Sequence, residues 1–346
     1  NVLCQYFFEE TRKEVGEKAG QHFVAITDPG SSMEQRAKDW KFLKICYGLP
    51  SIGGRFSALS HFGMVPATVM GLDTTKLLTI ADTMVKECKE TDPEKNPGVF
   101  LGAVMGVMAR DAQKNKVTII TSPGVVSVGT WLEQLIAEST GKDGKGLIPV
   151  AGETTAAPEE YGNDRLFVHV RIASNACTFQ DRKVDLIEQA GHPVVRIELK
   201  DVYEVGAEFF RWEVATATAG SIIGINAFNQ PNVQESKDFT KDYLKNYVES
   251  GSLPQNTLVL EESGFKVFAD EDNAKRYAPV GKTTLPELLK SFLGSIQAGD
   301  YFATNAYIDC CEELADIIQQ PRDQVKAKRK VATTVGFGPR FLHSTG

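Results

Sequence analysis

The side chains best suited to chemistry fall in three short stretches. Gln134 and Glu138 are four residues apart, so on a helix both point the same way. An apolar run from Val126 to Ala137 leads into them, and Gly141 and Lys142 follow. A Gly just past the last periodic residue, with a Lys beside it, marks a helix C-terminus. Glu138 then lies in the last turn, where the macrodipole disfavours a carboxylate. By position alone this is a solvated Glu at a frayed end. The alternative is a working base at the edge of a pocket. Upstream, Arg55 follows Gly53 and Gly54. Two glycines let the backbone approach a ligand closely, and an Arg offers a planar fork to oxyanions. The plain alternative is an Arg capping a loop. Downstream, the run Ile225 to Lys237 contains Gln230 and ends in a Lys. An acid, an Arg beside a permissive backbone and a Lys form a set able to handle an anionic sugar.

The elements that must hold these groups alternate. Asn1 to Val15 has helical periodicity. His22 to Thr27 reads as a buried strand, followed by a turn at Asp28-Pro29-Gly30 and a helix from Ser32 to Trp40. That pattern belongs to a parallel α/β sheet, where ligands sit at the carboxyl ends of strands. The acidic Asp28 argues for a structural turn there. Leu43 to Cys46 is a second apolar run. Helices are expected over Ser57 to Val65, Ala67 to Gly71 (opened by Pro66) and Thr74 to Cys88. Gly98 to Asp111 is a small-residue helix, able to pack tightly against a neighbour.

Val117 to Thr121, Gly146 to Ala151, Leu166 to Ile172 (with alternation) and Val194 to Leu199 read as strands. Asp181 to Ala190 and Val205 to Gly220 read as helices. From about Ser250 the texture changes. Leu258 to Phe268 reads as a hairpin and Thr284 to Gln297 as a helix. Gly299 to Asn305 reads as a strand or turn. Ile308 to Gln319 reads as a helix whose apolar run includes Cys310 and Cys311. Lys326 to Lys330 reads as a solvated basic helix end, and Val331 to Thr334 as a strand. The expected organisation is residues 1–110, 111–249 and a further α/β region at 250–346.

Composition narrows the class. The chain has 346 residues, 42% hydrophobic and 24% charged, with net charge −7. A nucleic-acid-binding surface is usually basic, so none is expected as the main function. Six scattered cysteines form no pair with metal spacing, which suggests a reducing, cytoplasmic compartment. No His/Asp/Glu cluster has ligand spacing, so neither metal nor cofactor is expected. No apolar run is long enough to span a membrane. The chain begins without Met and reads as a fragment cut at both ends.

Taken together, Gly53-Gly54-Arg55-Phe56-Ser57, Gln134 to Lys142 and Asn226 to Lys237 resemble motifs of the glucose-6-phosphate isomerase (phosphoglucose isomerase) family, in the family's order and with similar spacing. The resemblance covers roughly Phe23 to Lys237. It implies two sugar-isomerase (SIS-type) α/β domains with parallel sheets flanked by helices, here followed by a C-terminal α/β extension. It implies aldose–ketose isomerisation of a sugar phosphate, with Glu138 as base, Arg55 beside the enediolate and Lys237 near the ring oxygen. Gly53, Gly54, Gln134 and Gln230 match substrate-binding positions. A homodimer is implied as well. The tail Val331 to Gly346 is similar to that of bifunctional transaldolase/phosphoglucose isomerase fusions. The sequence departs from the family in four places. The phosphate loops are not found. The family's His segment corresponds to Gly152 to Ala157, which has no His. Asn229 stands for an Asp and Asn232 for a Gly. His169 and His192 are expected in the core or at the surface. The alternatives from other classes are a sugar-phosphate-binding regulator, which needs no base, and a mannose-phosphate or dual-specificity isomerase.

Overall fold

The computed structural model describes residues 2–253, 256–277 and 284–343, without the side chains of 232–234 and 343. Asn1 and the closing Ser344-Thr345-Gly346 lie outside the described residues.

Helix α1 (Val2–Val15) leads into a short parallel pair, β1 (Val24–Thr27) and β2 (Lys44–Tyr47), joined through α2 (Ser32–Asp39). The expected strand-turn-helix at Asp28 is present and structural. Ser31 caps α2 by accepting from Glu34 N–H, and Glu34 itself accepts from Gly30 N–H. The protein's own carboxylate therefore occupies that helix N-terminus. Hydrogen bonds from Lys38, Gly30 and Tyr47 hold the Glu34 carboxyl down at about 2.

Three helices follow: α3 (His61–Val69), α4 (Thr74–Glu87) and α5 (Pro97–Ala112). The sequence suggested two helices meeting at Pro66. Instead α3 is one helix with Pro66 inside it, because Met70 N–H bonds Pro66 C=O and the ladder resumes. The main sheet comes next: β3 (Lys116–Thr121), α6 (Val126–Thr140), β4 (Ile148–Ala151), β5 (Arg165–Ile172), α7 (Thr178–Gln189), β6 (Val194–Leu199) and α8 (Val205–Ile223). Its order is β4-β3-β5-β6, all parallel. Mixed α/β architecture with parallel sheets flanked by helices is thus as expected.

The alternation read in β5 does not mark a half-exposed strand. Leu166, Phe167, Val168, His169 and Val170 are all buried, because helices cover both faces of a parallel sheet. On one side of the sheet, Leu132, Leu135 and Ile136 of α6 are fully buried against β3, β5 and Trp212 of α8. The apolar face read from their spacing is the core face.

The small-residue helix packs as anticipated. Gly98, Gly102 and Gly106 repeat every four residues, which makes a flat stripe on α5 where α8 lies. A Cβ on Gly102 would stand 2.4 Å from the Ala215 carbonyl oxygen, and one on Gly106 would stand 2.8 Å from Ile222 Cβ. Gly102→Val is expected to destabilise the fold by about 3 kcal/mol, since a backbone carbonyl cannot turn aside as a side chain can. A urea unfolding midpoint unchanged from wild type would refute this.

Two carboxylates on α8 carry a second prediction. Glu208 is buried beside Arg211, and burial pushes its carboxyl up to about 7. Burial alone pushes Glu213 up to about 8. Both carboxyls are raised above the ordinary carboxylate range, so the folded chain binds protons more tightly than the unfolded chain. The resulting stability is complete below pH ~4.5 and is lost as pH rises towards 8. Glu213→Gln is expected to remove on the order of 3 kcal/mol of that loss at pH 9. The check is urea unfolding at pH 5, 7 and 9. A wild-type slope that persists in the variant would overturn it.

Beyond α8 come α9 (Pro231–Ser250), the antiparallel hairpin β7 (Thr257–Glu262) and β8 (Phe265–Ala269), α10 (Glu271–Tyr277) and α11 (Leu285–Gly294). The hairpin and α11 match the expected ranges closely, and Thr284 with Glu287 forms a capping box at the start of α11. Strand β9 (Tyr301–Ala306), helix α12 (Glu312–Arg329) and β10 (Ala332–Phe337) complete the fold, with β9 and β10 parallel.

Helix α12 departs from the sequence reading. It starts after Cys311, which leaves Cys310 and Cys311 exposed outside the helix, and it runs through Pro321. Glu312 and Glu313 in its first turn, and Lys328 and Arg329 in its last, oppose the helix dipole. Lys326 is not solvated. It is 1% exposed and donates to the Thr154 carbonyl, while Arg322 donates to the carbonyls of Ala151 and Gly152. Helix α12 therefore grips the loop after β4.

Candidate active site

The site is built around one buried guanidinium. A short turn, Gly54–Phe56, presents Arg55, whose side chain is 1% exposed. Gly53 and Gly54 have open space where a Cβ would lie, so bare backbone borders the site. Neither has a positive φ, so their use here is access, not backbone conformation.

Every Arg55 N–H has a protein partner. Nε donates to Ser139 Oγ at 2.7 Å, and Nη2 to the carbonyls of Ala227 at 2.7 Å and Asn229 at 3.0 Å. Nη1 donates to Gln230 Oε1 at 3.0 Å and Glu138 Oε1 at 3.3 Å. The free fork expected from the sequence is thus already occupied by the protein. Its longest contact is the one to Glu138. Burial lowers the affinity of Arg55 for its proton, and the Glu138 carboxylate opposes that shift.

Helix α6 supplies the acid. Gly141 ends it, as the sequence indicated, and Glu138 lies in its last turn. The Glu138 side chain is only 13% exposed, so it is not a solvated end. Gln134, one turn earlier, donates to Glu138 Oε2 at 3.2 Å. The carboxylate is held between a guanidinium on one oxygen and an amide on the other.

Sequence reasoning missed two residues of this cluster. Ser139 is fully buried and orients Arg55. Lys142 is 7% exposed and donates to the carbonyls of Asn226, at 2.6 Å, and Asn229. Desolvation, then Arg55, pulls the Lys142 ammonium below its ordinary value. Arg55 and Lys142 together pin the 226–230 loop by its carbonyls. The available signal was a Ser and a Lys directly after an apolar helical face, where a plain cap would sit in water.

Lys237 is exposed on α9 and is not among the partners of Arg55 or Glu138. The structure brings together Arg55, Glu138, Gln134 and Gln230, with Gly53 and Gly54 beside them, and leaves Lys237 outside the cluster. His169 is buried in β5 near Asp181, and His192 packs against Phe167, as expected of core histidines. Among the described residues no group of three or more His, Cys, Asp or Glu is placed to hold a metal, and no helix is long and apolar enough to cross a membrane.

The architecture is that of a glucose-6-phosphate-isomerase-like α/β fold. A hypothetical protein from Thermus thermophilus superposes with TM-score 0.61 at 22% identity, over 70% of this chain and 67% of that one. A glucose-6-phosphate isomerase from Chlamydia trachomatis superposes with TM-score 0.56 at 20% identity, over 70% and 56%. In sequence the chain is a homologue of proteins named glucose-6-phosphate isomerase. It is 28% identical over 259 residues to the probable glucose-6-phosphate isomerase of Methanococcus maripaludis, spanning 65% of this chain and 58% of that protein. It is 26% identical over 264 residues to that of Rubrobacter xylanophilus, spanning 63% and 59%. The chain thus covers less than two thirds of the length of these relatives. No protein-family model matches it.

Proposed function

We propose that this chain carries the proton-transfer centre of a glucose-6-phosphate isomerase, which interconverts glucose 6-phosphate and fructose 6-phosphate through an enediolate. The observation that carries this reading is the meeting of three distant stretches on one guanidinium, with Glu138 at its edge.

Glu138 acts as the base that moves the proton between C1 and C2. Negative charge then develops on the enediolate oxygens, and Arg55 stands beside it. Its Nη1–H leaves the long contact with Glu138 for the substrate oxygen. That exchange frees the carboxylate to accept a proton while its countercharge moves to the new anion. Gln134 orients the other carboxylate oxygen, and Gln230 contacts the sugar. Gly53 and Gly54 let the sugar approach the backbone. Lys237 assists ring opening once α9 brings it to the ring oxygen.

The reading extends to the whole protein as a homodimer with a transaldolase half. Its supports are the family motifs and the similarity of the tail from Val331 to fusion proteins. The six unpaired cysteines support a reducing, cytoplasmic compartment. Sugar-isomerase domains spanning 1–110 and 111–249, with 250–346 as an extension, complete the proposal.

The test is conversion of fructose 6-phosphate by the full-length parent in deuterated water, without added metal. Turnover with deuterium entering at the transferred position is expected. Binding without turnover would point instead to a sugar-phosphate sensor.

A further inference from the structure

The small sheet of β9 and β10 has two edges, and the protein treats them differently. The strands pair in parallel, and Gly338 N–H donates to the Ala306 carbonyl. In a parallel ladder a residue turns both of its backbone groups to the same neighbour, and the residues on either side of it turn theirs away. Phe302, Thr304 and Ala306 therefore face β10, while Tyr301, Ala303 and Asn305 face outwards. In β10 the same alternation turns Val331 and Thr333 away from β9.

At the β10 edge side chains take the place of a strand. Thr333 N–H donates to Glu153 Oε1 at 3.0 Å, and the Thr333 carbonyl accepts from Arg322 Nη2 at 2.6 Å. The Val331 carbonyl accepts from Arg165 Nη2 at 3.0 Å. All three of these charged side chains are buried. At the β9 edge nothing comparable occurs. Among the described residues β10 is the only strand paired with β9, and no side chain bonds the backbone of Tyr301 or Ala303. We propose that the outer edge of β9 pairs antiparallel with β9 of a second copy of this chain, joining the two sheets into one across a twofold axis near Ala303.

The first support is that this edge is unprotected. An open edge is ordinarily blunted by charge or Pro. Strand β6 carries Arg196 and Glu198, β7 carries Glu261 and Glu262, and β8 carries Lys266. Tyr301–Ala306 has neither charge nor Pro over six residues, and Tyr301, Ala303 and Asn305 are exposed.

The second support is self-complementarity, which selects the occupant. A neutral strand meets itself without placing like charges opposite each other. Ala303 is small, so two backbones can approach closely there. Tyr301 is 41% exposed at the start of β9, and Tyr307 and Ile308 are 67% and 43% exposed just past its end. Antiparallel pairing brings the start of one strand to the end of the other, so these apolar side chains cover each other at both places. A foreign strand could satisfy the same backbone groups, but a second copy supplies this reciprocal match by symmetry.

The inference names a surface for the homodimer proposed above, and it rests on that reading only for the existence of a dimer. No residue of the Arg55 cluster takes part. The test is the solution mass of the whole chain by sedimentation over a range of concentrations, for wild type, Ala303→Pro and Ala303→Lys. Pro removes an outward N–H at a position that does not face β10, and Lys sets two positive charges against each other across the axis. Thermal unfolding confirms that each variant is folded. Wild type is expected to dimerise, and each folded variant to dimerise about tenfold or more weakly. A dimer that persists unweakened in both folded variants would overturn the β9 surface and leave the dimer itself standing. A wild-type chain that stays monomeric at ~100 µM would overturn both, whether or not its edge takes up a foreign strand.

Discussion

Glu138→Gln in the full-length protein is expected to lower isomerase turnover by ~10²–10⁴-fold, the range that general acid–base groups supply, with little change in thermal stability. Gln keeps the length of Glu and still offers an oxygen to Arg55 Nη1, so the contact seen at 3.3 Å has a neutral counterpart. The Gln134 contact on the other oxygen is a single amide donor at 3.2 Å and is easily exchanged. What the substitution removes is the ability to take a proton. The loss should therefore appear in kcat, with KM little changed, because the neutral amide still fills its place. Activity that survives would keep the reaction and remove Glu138 from the role of base. A variant that unfolds would show instead that the Glu138–Arg55 pair is structural.

Arg55→Ala is expected to damage both rate and fold. Loss of a charge-stabilising group commonly costs ~10²–10³ in rate. Here the same side chain also satisfies Ser139 Oγ, two carbonyls of the 226–230 loop, Gln230 and Glu138. Removing it strands those acceptors in a buried place, a loss of about 3–5 kcal/mol. Arg55→Lys is expected to restore charge but not activity, since an ammonium cannot reach Ser139, Ala227 and Glu138 at once. Unfolding midpoints and turnover of both variants form the check. A Lys variant with near-wild-type turnover would mean that only the charge matters. Lys142 makes the comparison sharper: it donates to the carbonyls of Asn226 and Asn229 in the same loop, so the loop stays partly anchored when Arg55 is lost.

Much of this site was legible because its signals are local. The Gln134–Glu138 pair follows from helical spacing. The end of α6 follows from Gly141, and its buried face from Leu132, Leu135 and Ile136. The tight α5–α8 packing follows from glycines four residues apart. What misled was also local. Pro66 read as the boundary between two helices, yet α3 passes through it. Lys326 read as a solvated charge, yet it reaches the Thr154 carbonyl, 172 residues away in sequence. The alternation read in β5 marks no exposed face, since Leu166 to Val170 are all buried.

By itself the amino-acid sequence determined which elements form and which residue types stand at their ends: an acid and an amide on one helix turn, an Arg behind two glycines, a Gln before a long helix. Those follow from spacing, caps and backbone freedom, all set within a few residues. Only the tertiary structure decided that all five N–H groups of Arg55 are taken by the protein, that Ser139 and Lys142 hold the cluster, and that Lys237 stands outside it. Hydrogen bonds such as Arg55 to Ala227 join residues 172 positions apart. No local pattern encodes the direction in which a buried guanidinium turns, because the acceptors that orient it arrive only when the chain packs.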